Sequence, residues 1–80
     1  MTATVTIPPH DIDAEMSVLG AILQDGEAFK QCSAILRPDD FYRDSHGRIF
    51  AAALDVARER GEVADLITVT NELRRRGDLE

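Results

Sequence analysis

Apolar residues return at helical intervals along most of the chain. Ile12, Met16, Leu19, Ile22 and Leu23 lie on one face of a helix running from about Ile12 to Gln24, whose first turn carries Asp11, Asp13 and Glu15 where the positive end of the helix dipole favours acids. Asp25-Gly26 stops it. A shorter stripe of Ala28, Phe29, Cys32, Ile35 and Leu36 predicts a second helix, closed by Arg37-Pro38. Phe41 and Tyr42 then sit among acids between Asp39 and Asp44, a pattern that predicts a compact turn with both rings inside. The most regular stretch follows: His46, Ile49, Phe50, Ala53, Leu54 and Ala57 recur at i, i+3, i+4 spacing, with Ser45 as candidate N-cap and Gly61 as stop. Asp65 opens a fourth helix carrying Leu66, Val69 and Leu73, and Gly77 closes it after Arg74-Arg75-Arg76.

The pattern predicts an all-α fold: a small orthogonal bundle of about four helices with a short aromatic turn. Before it, residues 1–9 end in Pro8-Pro9, which removes two backbone donors and favours an extended leader arm, so the helical domain is assigned to residues 10–80. Gly20, inside the first helix, costs about 1 kcal/mol relative to alanine and is expected to admit a closely packed neighbour. The apolar Leu79 after a helix-stop glycine makes the domain read as incomplete on its C-terminal side.

Length and chemistry narrow the functional classes. A chain of 80 residues has little core to spare, and its single cysteine, Cys32, lies on an apolar stripe, which points to a small core hydrophobe in a reducing compartment. The longest apolar runs, Val18 to Leu23 and Ile49 to Leu54, are six residues each, against roughly 20 for a membrane-spanning helix, so the expected location is the cytoplasm, with no membrane partner. A net charge of −6 opposes general attraction to a phosphate backbone. That charge is uneven: residues 1–44 carry eight acids and three bases, whereas 45–80 carry seven and six.

No catalytic set emerges. His10 and His46 are far apart and lack a companion at zinc-ligand spacing, and His46, on the apolar face of the third helix, reads as a hydrogen-bonded core histidine. Asp11 with Asp13, and Asp39 with Asp40, read as helix-start acids. Ser17 and Ser45 lack the glycines of a nucleophile elbow, and no Gly-x-x-x-x-Gly-Lys-Ser/Thr loop is present to cradle a phosphate. Catalytic, metal and cofactor-binding residues are therefore expected to number none. One basic cluster stands out, Arg74, Arg75 and Arg76. It is the candidate contact for an acidic partner or nucleic acid, and the alternative is that these cations answer the negative end of the fourth helix.

Pro8-Pro9-His10-Asp11-Ile12-Asp13-Ala14-Glu15, then Ser17-Val18-Leu19-Gly20-Ala21, resembles the opening of the N-terminal domain of DnaB-type replicative DNA helicases. Leu36-Arg37-Pro38-Asp39-Asp40-Phe41-Tyr42, His46, Ile49-Phe50, Arg60-Gly61, Asp65-Leu66 and Leu73 to Gly77 continue it in order, over about residues 8–80. Each motif is short, and their collinear order gives the resemblance its specificity. Met16, where the family usually has a polar residue, and the Ala51-Ala52-Ala53 run depart from it.

The resemblance implies a non-catalytic helical domain that supports ring assembly and primase binding in DNA replication. Its implied partners are the rest of the helicase or other subunits and primase, with DNA reached only through the full-length assembly. ATP and Mg belong to the motor of the full-length family, whose motifs this sequence does not contain. Two other readings are a stand-alone mimic of the helicase domain that regulates its partners and a small DNA-binding protein.

Overall fold

The computed structural model describes residues 11–77; the leader arm, His10 and Leu79 lie outside them. Four helices occur in the order α1 (Ile12–Gln24), α2 (Gly26–Ser33), α3 (Asp44–Glu59) and α4 (Leu66–Arg76), with a 3₁₀ turn (Pro38–Asp40) before α3. No strand occurs among the described residues.

Local chemistry fixes most boundaries. The Asp11 side chain accepts the Ala14 amide at 2.9 Å and starts α1. Asp25 ends α1 and caps α2 in one step, accepting the Glu27 amide at 3.0 Å. That cap sets the start of α2 at Gly26, and the helix ends at Ser33, short of the Ile35 and Leu36 that its apolar stripe includes. Ile35 and Leu36 instead occupy the turn that follows, their amides donating to the Cys32 carbonyl. Asp65 and Thr68 cap α4 reciprocally, with Thr68 N–H to Asp65 Oδ1 at 2.9 Å and Asp65 N–H to Thr68 Oγ1 at 3.0 Å. Gly77, at φ +79°, takes the left-handed conformation that releases the chain from α4.

The third helix is the hub, packing against α1, α4 and the 3₁₀ turn. Phe50 is fully buried at its centre, with the Phe41 ring centroid 5.3 Å away and that of Phe29 6.5 Å away, both tilted as aromatic quadrupoles prefer. Leu19 and Ile22 from α1, Cys32, Val56, and Val69 and Leu73 from α4 close the core around these rings. Burial of Ala52 and Ala53 lets neighbouring helices approach α3 closely.

Several positions differ from the expectations of periodicity. Met16 and Leu66 are exposed, as is Ile35 once the chain has left α2. Phe41 is buried but Tyr42 is exposed, because adjacent residues in the extended backbone after the 3₁₀ turn point opposite ways. Ser45 is not the cap of α3: the helix starts at Asp44, and its N-cap position, Arg43, makes no side-chain cap bond. Gly20 admits no neighbour, for a Cβ built there meets nothing within 4 Å. Gly47 does that work instead. A Cβ at Gly47 would lie 2.7 Å from the Pro38 carbonyl oxygen, so the 3₁₀ turn can seat on α3 only with glycine there.

Candidate functional site

Two buried carboxylates organise the polar groups of the fold. The first is Glu15 of α1, with no exposure to solvent. One oxygen accepts the Tyr42 amide; the other accepts the Arg43 amide at 3.3 Å and lies 2.8 Å from His46 Nδ1. A carboxylate can only accept, so Nδ1 carries the proton in this pair. Burial pushes the Glu15 carboxyl pKa up, but the bonds from His46, Tyr42 and Arg43 together outweigh it and hold the group below its ordinary value. Glu15 thus delivers a negative charge from α1 to the start of α3, where the helix dipole favours it and where no local side chain caps the end. His46 sits in the core and is hydrogen-bonded, as its place on the apolar face predicts.

The second is Glu72 on α4, only 1% exposed. Arg60 Nη2 reaches it at 2.6 Å, Arg75 Nη2 at 2.7 Å and Arg76 Nε at 2.7 Å, while Arg76 also pairs with Asp55 of α3. The hydrogen bonds from Arg75 and Arg76, aided by the charge of Arg60 and opposed by burial, hold the Glu72 carboxyl at about 2. The network ties the C-terminal ends of α3 and α4 together.

The arginine cluster singled out from sequence is therefore divided by the fold. Arg75 and Arg76 turn back onto Glu72, whereas the Arg74 guanidinium, among the described residues, bonds the Asn71 side chain alone, at 3.2 Å on the exposed surface. The sequence reading takes Glu15 as a first-turn acid that answers the helix dipole and does not single out Glu72. The signal for both was present: Glu15 falls in register with Ile12, Leu19 and Ile22, and Glu72 follows Val69 by three, so each acid occupies a core-facing position.

Both carboxylates are saturated by internal donors, and neither adjoins a nucleophile. Among the described residues no group of three or more His, Cys, Asp or Glu is placed to hold a metal ion, and no helix is long and apolar enough to cross a membrane. The Cys32 thiol is buried, and burial raises its pKa, away from the reactive thiolate. What the surface offers is apolar: Val63, Leu66 and Ile67, around the start of α4, are each about 70% exposed. The fold and its saturated charge clusters define a small all-α domain built around internal fastenings, with apolar surface left for contact.

Residues 7–80 match the family model of the DnaB-like helicase N terminal domain, and the chain belongs to that family. It is 53% identical over 74 residues to the replicative DNA helicase DnaB of Geobacillus stearothermophilus, a match covering 92% of this chain and 16% of that protein. With the replicative DNA helicase DnaC of Bacillus subtilis (strain 168) it shares 52% identity over 67 residues, 84% of this chain and 14% of that one. The crystal structure of the N-terminal domain of DnaB helicase from Mycobacterium tuberculosis superposes with a TM-score of 0.79 at 48% identity, covering 89% of this chain and 51% of that chain. The chain thus spans about one sixth or less of the curated relatives just named, and about half of the solved domain.

Proposed function

We propose that this chain is a non-catalytic interaction domain of a DnaB-type replicative DNA helicase, acting in DNA replication by supporting ring assembly and receiving primase. The observation that carries this reading is the match at high identity to the N-terminal segment of such helicases, over nearly the whole chain. The two buried carboxylates agree with it, since they stiffen the fold and present no reacting group. On this reading the chain works in the cytoplasm, takes no cofactor of its own, and meets DNA only through the assembled helicase. Its contacts are with the remainder of the helicase, neighbouring subunits and primase. Arg74, whose guanidinium is not drawn into the Glu72 network, is the member of the arginine cluster best placed to meet a partner.

Sedimentation velocity of the labelled chain mixed with intact DnaB-type helicase tests the assembly half of the proposal. Co-sedimentation with helicase subunits is expected. A chain that sediments alone at every helicase concentration removes the assembly role.

A further inference from the structure

Two arginines of this acidic chain border a concavity, and among the described residues their guanidiniums have no acid partner. The groove, of about 660 Å³, lies where the turn after α2 faces the middle of α3, with Ile35, Leu36 and Leu54 as apolar lining and Arg37 and Arg58 beside them. Ile35 is 53% exposed there. Arg48, Arg60, Arg75 and Arg76 are each paired with a carboxylate elsewhere, whereas the guanidiniums of Arg37, Arg43, Arg58 and Arg74 have no carboxylate within 4 Å among the described residues. Of these four only Arg37, whose backbone amide bonds Asp40, and Arg58 border the groove. Arg58 makes one long bond, 3.4 Å to the Ser33 carbonyl, at the exposed surface.

A chain of net charge −6 repels acidic ligands over most of its surface. The Arg37 and Arg58 guanidiniums, which outnumber the one acid lining the groove, Asp39, reverse that sign locally, and the exposed Ile35 adds an apolar foothold. We propose that this groove docks an acidic amphipathic segment of a partner protein. An aliphatic anchor of that segment lies against Ile35 and Leu54, and its carboxylates face Arg37 and Arg58. Asp39, which also borders the groove, repels a carboxylate on its own side and so selects the orientation of the segment. The proposal rests on reading the chain as an interaction module and adds the surface and the chemistry of what it takes. A nucleic acid would use the arginines but gain little from Ile35, and that difference separates the two ligands.

Fluorescence anisotropy of a labelled amphipathic peptide, with leucines at helical i, i+4 spacing and glutamates beside them, provides the test on the intact chain. Arg37→Glu with Arg58→Glu is expected to weaken binding about tenfold or more, the sum of two reversed exposed charges. Ile35→Asp should also weaken it, Arg58→Lys should retain most of the affinity, and Ile67→Asp, on the other apolar patch, should leave it unchanged. All these positions are exposed, and circular dichroism verifies that each variant stays helical. Absence of peptide binding overturns the proposal, as does loss on Ile67→Asp in place of the groove variants. Binding of a single-stranded oligonucleotide that is tighter than the peptide and indifferent to Ile35→Asp overturns it in favour of nucleic acid. If the chain still joins helicase subunits but ignores the peptide, the groove assignment fails and the interaction reading stands.

Discussion

The Glu15 carboxylate on α1 lies 2.8 Å from Nδ1 of His46 on α3, joining residues 31 positions apart inside the core. The same carboxylate takes the amides of Tyr42 and Arg43, so a single side chain fixes the path of the chain into the central helix. Replacing it with alanine strands three buried or half-buried donors at once. Glu15→Ala is expected to cost about 3 kcal/mol or more, a large part of the stability of a domain this small. Urea unfolding checks this; an unchanged midpoint would show that water replaces the carboxylate without penalty.

A double-mutant cycle isolates the pair itself. With Glu15→Gln and His46→Asn as the single changes, a coupling of about 0.5–3 kcal/mol is expected for residues in direct buried contact. Additive effects would mean that the amides of Tyr42 and Arg43, and not the imidazole, account for the stabilisation by Glu15.

Two glycines should respond oppositely to the same substitution. Gly20→Ala adds a methyl group into open space within α1 and should stabilise by up to about 1 kcal/mol through helix propensity. At Gly47 the methyl group meets the Pro38 carbonyl oxygen, backbone that cannot swing aside, and Gly47→Ala should destabilise by about 1–3 kcal/mol. Thermal melting of the two variants is enough, with shifts of opposite sign expected.

Those glycines mark where sequence is informative and where it falls short. The limits of α1 and α4 were legible because periodic stripes meet strong local signals there: Asp11 and Asp25 around the first, Asp65 and Gly77 around the last. His46 was legible as a core histidine because its neighbours on the helix face are apolar. The acid that pairs with it was not, since Glu15 in a first turn satisfies the dipole rule equally well on the surface, and only the return of α3 reveals its burial. Glu72 was missed for a related reason: the arginines around it come from two separate stretches of chain, Arg60 beyond α3 and Arg75 and Arg76 on α4, which only the fold brings together. Close approach at Gly47 depends on the 3₁₀ turn crossing α3, which periodicity along one strand of sequence does not contain.

Acid should loosen the α3–α4 junction. The Glu72 carboxyl is held at about 2 when folded, against an ordinary value of 4.5. Its contribution is therefore complete above about pH 4.5 and is lost as the pH falls from there towards 2. Glu15, also lowered, acts in the same direction. Unfolding midpoints should decline across this window, and Glu72→Gln should flatten the decline. An equal slope in the variant would place the acid sensitivity elsewhere.

The arginine cluster should divide along the lines of its bonds. Arg76→Gln removes a link to both Glu72 and Asp55 and should lower the melting temperature, whereas Arg74→Gln, at an exposed site, should stay within about 0.5 kcal/mol of the parent. Equal losses at both positions would contradict the division.

The claim that this chain is an interaction domain meets its most direct test in calorimetric titration with the C-terminal domain of a primase from the same source, at two temperatures. The account predicts saturable binding with a negative heat-capacity change, the mark of apolar surface buried on association. No heat at either temperature, from a chain verified as folded, would contradict the primase-binding role.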